Sequence, residues 1–301
     1  MDINLICQGE SKKYKQLITK KEYVFLNEFE NYDKNDYEAI VAFNHDVILG
    51  ICFFDQRSFR DDKKRIYIST IAIRKGLNLE NILNNILTKI ESIAQKRKMG
   101  SIFCDIDTNN LMLKYLEKFK YKVERINLKK TLLETETETV DNSMIHEVSS
   151  FFLKEHMDDF AKLYLINDRA HIFSESSSLN EAQEQMNLLY NYLNNHKAYV
   201  YAWIQDNEIA GVLWAFPYSY DTKEHVHVKQ ITVKEKYRGN GLAEKIYIYF
   251  FHLMRKKKNY VIITNVDAIN KSAIRLYEKL RYKENRYQMV KNIKLNLNNF
   301  Y

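Results

Sequence analysis

Apolar and polar positions follow one another along this chain in two rounds of the same order, with a polar stretch between them. In the first round, Glu38 to Phe54 reads as two strands joined by a turn at Asn44-His45-Asp46, and Arg65 to Ile73 as another strand. Leu79 to Lys98 carries apolar side chains at helical spacing (Ile82, Leu83, Ile86, Leu87, Ile90, Ile93, Ala94). Ser101 to Ile106 predicts a strand, Asn110 to Phe119 a helix and Tyr121 to Leu128 a last strand. The second round predicts helices over Asp159 to Ile172 and Asn180 to Asn194, then a hairpin of Ala198 to Ile204 and Glu208 to Phe216 around Asp206-Asn207. His225 to Val233 follows as a strand. Leu242 to Lys257 is a helix with Ile246, Tyr249, Phe250, Leu253 and Met254 on one face. Val261 to Val266, Ser272 to Leu280 and Tyr287 to Ile293 complete the round as strand, helix and strand.

The two rounds correspond in detail. A shift of 160 residues places Ile71-Ala72-Ile73 on Ile231-Thr232-Val233 and Ile86 on Ile246; one more residue of shift places Asn109 on Asn270 and Leu116-Glu117-Lys118 on Tyr277-Glu278-Lys279. An internal duplication accounts for this. The segment Glu134 to Ser143 is polar with no apolar face, so it reads as a linker (134–143) between domains at 1–133 and 144–301.

Composition narrows the setting. Apolar residues make up 46% and charged residues 28%, the balance of a soluble globular protein. Cys7, Cys52 and Cys104 are odd in number and far apart, which fits neither a disulfide framework nor a zinc cluster; reduced thiols and a cytoplasmic location are the expectation, with no metal. Met1-Asp2-Ile3-Asn4 lacks the order of a signal peptide, and no apolar run approaches the roughly 18 residues that span a bilayer. The net charge of +7 favours an anionic partner: RNA, a membrane surface or a polyphosphate cofactor. Most charges are scattered. The densest run, Arg255 to Lys258, falls at a predicted helix end, where cations complement the dipole and face water, which argues against a nucleic-acid patch.

The most informative stretch joins the strand ending at Val233 to the helix beginning at Leu242, through a basic loop that contains Arg238-Gly239-Asn240-Gly241. Two glycines in a chain with only seven allow backbone N–H groups to point inward, and a helix start adds unpaired donors and a positive dipole end. Physics alone leaves two readings open, a tight turn or a pyrophosphate cradle. A P-loop needs Lys and Ser or Thr after its last glycine, and this chain has Leu242-Ala243; the dinucleotide fingerprint needs its first glycine where Arg238 stands.

Arg238-Gly239-Asn240-Gly241-Leu242-Ala243 resembles the signature of the GCN5-related N-acetyltransferase (GNAT) superfamily: Arg or Gln, two residues, Gly, one residue, then Gly or Ala. Asn270 to Tyr282 is similar to the same family's Asn…Ala…Leu-Tyr-Glu-Lys…Gly-Phe segment, with Arg281 in place of the glycine. The resemblance covers about Ile145 to Ile293, and the first half is a weaker copy. It implies an α/β (α+β) fold of two tandem GNAT-like domains, each a mixed, mostly antiparallel sheet flanked by helices. It also implies acetyl-CoA as co-substrate. Ile231, Thr232 and Val233 would offer backbone groups to the pantetheine arm, and the amides of Arg238, Gly239, Asn240, Gly241, Leu242 and Ala243 would hold the pyrophosphate. Asn270 and Ser272 would lie beside the arm, and Tyr277 would protonate the leaving thiolate. A tyrosine hydroxyl suits that role, since the departing sulfur must be stabilised while the attacking amine loses a proton. His227, six residues before Val233, stands where the family often carries its base or water-holder; His225 is the reserve.

In the first half the same shift brings Asn78, Leu79 and Asn81 to Arg238, Gly239 and Gly241, and Leu116 to Tyr277. Leucine in the turn blocks phosphate and leucine cannot donate a proton, so this half is expected to be non-catalytic. The acceptor is expected to be a small-molecule primary amine, an amino-containing antibiotic or a polyamine, drawn by acidic residues such as Asp158, Asp159, Asp168, Glu175, Glu181 and Glu184. Transfer to a protein amine, or a non-catalytic acyl-CoA-binding or RNA-associated module, are the alternatives. The expected state is a monomer with paired domains or a homodimer, without a membrane partner.

Overall fold

The structure is a computed structural model that describes residues 1–6, 13–14, 16–18, 22–26, 37–58, 64–133, 143–168, 178–220, 223–258 and 261–294. Cys7, Glu175 and the linker segment 134–142 lie outside the described residues. The first half holds β1 (Asp2–Ile6), β2 (Tyr23–Phe25), β3 (Glu38–Asn44), β4 (Val47–Ser58), β5 (Lys64–Arg74), α1 (Leu79–Lys96), β6 (Ser101–Asp107), α2 (Leu113–Lys118) and β7 (Lys122–Thr131). The second holds β8 (Ile145–Glu147), α3 (Ser150–Glu155), α4 (Met157–Asp168), α5 (Leu179–Asn194), β9 (Tyr199–Gln205), β10 (Glu208–Tyr220) and β11 (Lys223–Val233). After these come α6 (Leu242–Lys256), β12 (Val261–Asp267), α7 (Lys271–Lys279) and β13 (Lys283–Asn292). Among the described residues every strand and helix that the periodicity predicts is present; positions 169–172 of the helix predicted from Asp159 lie outside them. The strands and α-helices it missed among the described residues (β1, β2, β8, α3) are three to six residues long, too short to show a period.

The chain forms two compact units, Met1–Arg125 with Arg286–Tyr301, and Ile126–Asn285. In the first unit the strand order is β1-β3-β4-β5-β6 followed by the Arg286–Asn292 part of β13, which pairs antiparallel with β6 from Arg286↔Asp107 to Asn292↔Ser101. In the second unit the order is β8-β9-β10-β11-β12 followed by the end of β7. Each unit is a mixed, mostly antiparallel sheet, with β5/β6 parallel in the first and β11/β12 parallel in the second. The boundaries read from composition, 1–133 and 144–301, give each half its own last strand; these units exchange them. Local patterning predicts that a strand exists, whereas its partner is chosen by edge hydrogen bonds between residues far apart in sequence.

The duplication reaches the irregularities. The register of β4 on β5 shifts so that Phe53 faces Thr70 and Phe54 faces Ile68, which bulges Ser69. In β10 on β11, Trp214 faces Gln230 and Ala215 faces Val228, which bulges Lys229, 160 residues later. The helices that follow keep the same offset. A Cβ on Gly50 would meet Ile86 Cδ1 at 3.1 Å, and one on Gly211, its counterpart, would meet Ile246 Cδ1 at 3.3 Å. α1 and α6 end at Lys96 and Lys256, 160 residues apart, so Ile86 is the counterpart of Ile246. Between strand and helix the second unit has eight residues, 234–241, where the first has four, 75–78.

On α1 the buried face is the predicted one, and it packs with β5 and β6 in the first core. On α6 the buried residues are Leu242, Ile246, Tyr247, Phe250, Phe251 and Met254, so Tyr247 and Phe251 replace the predicted Tyr249 and Leu253. That helix is apolar nearly all round from Ile246 to Phe251, and periodicity cannot pick a face where polar residues do not mark the other one. In the second unit α3, α4 and α5 bury a separate cluster against β9 and β10.

Candidate active site

The site of the second unit begins at a fork between two parallel strands. β11 pairs with β10 along its length, but with β12 only at Val226↔Ile262, His227↔Ile263 and Val228↔Thr264. The bulge at Lys229 comes at the next residue, and a bulge bends and twists its strand, so β11 leaves β12 there. Among the described residues no strand pairs with the edge of Ile231–Val233 that faces away from β10. Thr264 closes the fork by donating its hydroxyl to the Val228 carbonyl at 3.0 Å. Thr232 is buried and its hydroxyl accepts from Gln230 Nε2 at 2.8 Å, while Ile231 and Val233 are half-buried.

A 3-10 turn over Glu235–Tyr237 and then the glycine loop carry the chain from Val233 to α6. Gly239 (φ +82°) and Gly241 (φ +74°) both adopt the left-handed conformation, which costs other residues roughly 1–2 kcal/mol. Space is not what requires them: a Cβ on Gly239 would meet nothing within 4 Å. Gly241 is the N-cap of α6 and offers no side-chain acceptor to the helix. By contrast α1, α3, α5 and α7 are capped by the side chains of Asn78, Ser149, Ser178 and Asn270. The first-turn amides of α6, including those of Leu242 and Ala243, have no acceptor within the helix by its geometry. They open onto the loop of Arg238, Gly239 and Asn240.

Glu208 anchors the approach to this loop. Its carboxylate accepts from Lys234 Nζ at 2.7 Å, from Tyr237 Oη at 3.1 Å and from Lys236. The hydrogen bonds from Lys234 and Lys236 hold its carboxyl well down, at about 2. Arg238 turns back, and its Nε donates to the Val233 carbonyl at 3.0 Å. That carbonyl is thus already engaged by the loop's own arginine.

Tyr277 lies on α7 and is only 5% exposed. Its hydroxyl accepts from Tyr247 Oη at 3.4 Å and lies in hydrogen-bond reach of Thr264, the residue at the fork. Because Thr264 gives its proton to Val228, the order Tyr247 → Tyr277 → Thr264 → Val228 satisfies each hydroxyl. Burial pushes the Tyr277 pKa up, and the bonds with Tyr247 and Thr264 oppose it. Tyr277 is therefore a neutral hydroxyl near pH 7, with its proton at the mouth of the strand fork. The rings of Tyr247, Tyr277 and Tyr282 meet edge to face at 5.3–6.1 Å and fix its position.

His227 sits on β11 one residue before the last pair with β12, its ring edge-on to Phe216 at 5.1 Å. Burial, aided by the Lys229 charge, lowers its pKa to about 4. A row of asparagines sets its tautomer. Asn285 Nδ2 donates to Asn127 Oδ1 at 3.0 Å, and Asn127 Nδ2 donates to Asn265 Oδ1 at 2.9 Å. Asn127 Nδ2 also approaches the Thr264 carbonyl, which orients that amide. Asn265 is left with Nδ2 facing His227 Nε2 at 3.4 Å. Nε2 is thus the acceptor and Nδ1 carries the proton. His225 is buried on the same strand.

Asn270 caps α7: its Oδ1 accepts from the Ala273 amide at 3.1 Å and from Ser272 Oγ at 2.9 Å. Ser272 thus touches Asn270 directly. The position corresponds to Asn110 rather than Asn109, since Asn270 N–H donates to Asp267 O and Asn110 N–H to Asp107 O. Arg281 (φ +59°) takes the left-handed conformation without being glycine, and so does its counterpart Lys120 (φ +68°). Several acidic candidates for amine binding have structural work: Glu181 completes a capping box with Ser178, and Asp158 accepts from Gln183. Among the described residues no group of three or more His, Cys, Asp or Glu side chains is placed to hold a metal ion, and no helix is long and apolar enough to cross a membrane.

Sequence reasoning missed Glu208, Thr264, Tyr247, Asn265 and Asn127. Asn127 carries no local signal at all, since it reaches the site on the strand exchanged between units.

The architecture is that of tandem GNAT proteins. The chain superposes on a tandem GNAT protein from the clavulanic acid biosynthesis pathway with a TM-score of 0.56 at 8% identity, covering 97% of this chain and 99% of that one. A GNAT-family acetyltransferase from Colwellia psychrerythraea gives 0.55 at 12% identity, covering 98% and 100%. A GCN5-related N-acetyltransferase from Sphaerobacter thermophilus gives 0.58 at 14%, covering 88% and 83%. Residues 161–282 match the model of the acetyltransferase (GNAT) family. The family match thus lies within the second unit, and over the whole chain the likeness to tandem GNAT proteins is one of fold. No curated protein matches the sequence.

Proposed function

We propose that the second unit transfers an acetyl group from acetyl-CoA directly to a primary amine of a small molecule, such as an amino-containing antibiotic or a polyamine. The carrying observation is that three features meet at one place: the β11/β12 fork, the α6 start without a side-chain cap, and the Tyr277 hydroxyl beside Thr264. When bound, acetyl-CoA supplies a thioester open to attack by a neutral amine. The amides from Arg238 to Ala243 grip its diphosphate, as main-chain donors at a helix start do. The backbone of Ile231, Thr232 and Val233 pairs with the pantetheine arm, and Asn270 with Ser272 flanks it. The amine forms the C–N bond as the C–S bond breaks; Tyr277 turns its hydroxyl proton from Thr264 to the departing sulfur and takes one back from solvent once the thiol has left.

His227 acts in its neutral form. With Nε2 turned to Asn265, it holds a water or the amine through Nδ1–H, and the amine proton leaves to solvent. The first unit keeps the fold without the chemistry: α1 is capped by Asn78, the loop before it is four residues shorter, and buried Leu116 replaces Tyr277.

The test is thiol release from acetyl-CoA against a panel of polyamines, amino sugars and peptides with free N-termini. Turnover confined to the small amines is the expected outcome. Turnover confined to the peptides would move the acceptor to protein amines, and none with any amine would leave a binding module.

A further inference from the structure

The first unit contains the same fork as the second. β5 pairs in parallel with β6 only from Arg65↔Ser101 to Ile68↔Cys104, and then bulges at Ser69. Here a strand occupies the opening. β2 pairs antiparallel with β5 at Tyr23↔Arg74, Val24↔Ile73 and Phe25↔Ala72. The other edge of those residues is already taken by β4, which faces Ile73 with Gly50 and Ala72 with Ile51. β2 therefore lies on the edge that β6 has left.

Two further backbone bonds extend the seat, Leu26 N–H to Ile71 O at 2.8 Å and Lys75 N–H to Glu22 O at 2.7 Å. From the β6 side, Asn110 Nδ2 donates to the carbonyls of Phe25 at 3.0 Å and Leu26 at 2.6 Å. Asn110 is the counterpart of Asn270. Leu26 is fully buried in the core beneath.

We infer that the fork of the first unit is a strand-binding groove whose ligand is the chain's own segment Glu22–Leu26, clamped by Asn110. A pantetheine arm and a peptide share the chemistry this groove reads, amide N–H and C=O groups spaced along an extended chain. Duplication thus turned one copy of a thioester-carrier groove into an internal peptide seat. The parallel with a carrier rests on the function proposed above; occupancy by β2 does not.

Hydrogen exchange on the full chain tests the clamp with Asn110→Asp. This variant keeps Oδ1 for the Met112 amide, which it receives at 2.9 Å, but replaces the donor facing Phe25 and Leu26 with an oxygen. Exchange of the Leu26 and Lys75 amides should rise about tenfold, the loss of one hydrogen bond's net worth, while β3 amides are unmoved. Unchanged exchange at Leu26 overturns the clamp, and a uniform rise across the unit overturns its locality.

Acetyl-CoA titrated into the wild-type chain should bind at one equivalent and leave Leu26 exchange unaltered. A second equivalent, or faster exchange at Leu26 on binding, overturns the seat. Absence of any binding counts against the proposed function alone, and the exchange arm still decides the seat.

Discussion

At the scale of single residues, the site separates into groups with a local sequence signal and groups without one. Tyr277 belongs to the first kind, because its helix carries an uninterrupted motif from Asn270. Tyr277→Phe keeps the ring contacts with Tyr247 and Tyr282 and removes only the proton, so turnover should fall about 10²-fold or more while carrier affinity stays within a few-fold. Equal thiol-release rates would remove Tyr277 from the reaction. His227 was legible as a candidate, but its state was not, since burial and Asn265 decide that. Its folded pKa of about 4 lies below the ordinary 6.5, so between those values the unfolded chain binds the proton more readily. Stability should therefore drop as pH falls from about 6.5 towards 4, by about 1–2 kcal/mol from this group after allowance for its partial exposure. Denaturant midpoints across that range should flatten in His227→Gln; an unchanged slope assigns the acid sensitivity elsewhere. Glu208, Asn127 and Asn265 had no such signal, because each acts through a partner on another element.

At the scale of elements, legibility followed the cleanness of the pattern. The buried face of α1 was readable residue by residue, whereas α6 offered apolar side chains on every side and its face was set by what it packs against. The glycine loop shows the reverse case, where two residue types nearly determine a local conformation. Gly241→Ala forces a Cβ into a left-handed N-cap, so it should cost roughly 1 kcal/mol of stability and weaken acetyl-CoA binding as the α6 amides turn away. Gly241→Asn, which tolerates that conformation better, should recover most of the stability. Thermal midpoints with and without acetyl-CoA separate the two effects, and an alanine variant unchanged in both would show the turn to be ordinary. Arg281 and Lys120 mark the limit of this kind of reading, since both hold the left-handed conformation without a glycine to announce it.

At the scale of the whole molecule, the last strand of each repeat belongs to the other unit. A chain ending at Asn285 should lose the first unit, because Arg286–Asn292 covers the edge of β6 and Met289 is fully buried in that core. Removing one such side chain costs about 2–5 kcal/mol, and the strand adds its ladder of hydrogen bonds. A fragment of residues 126–285 should retain acetyl-CoA binding, while one of residues 144–301 loses Asn127 and with it the support of His227. Calorimetric titration of both fragments checks this; equal affinity and equal pH dependence would deny the exchanged strand any part in the site.

By itself the sequence determined the succession of elements, the duplication, the glycine loop and the position of Tyr277, since these depend on residues close together along the chain. Only the tertiary structure decided which strands pair, which fork holds β2, which amides fix His227 and which face of α6 is buried. Those outcomes depend on hydrogen bonds and packing between segments that no local pattern relates.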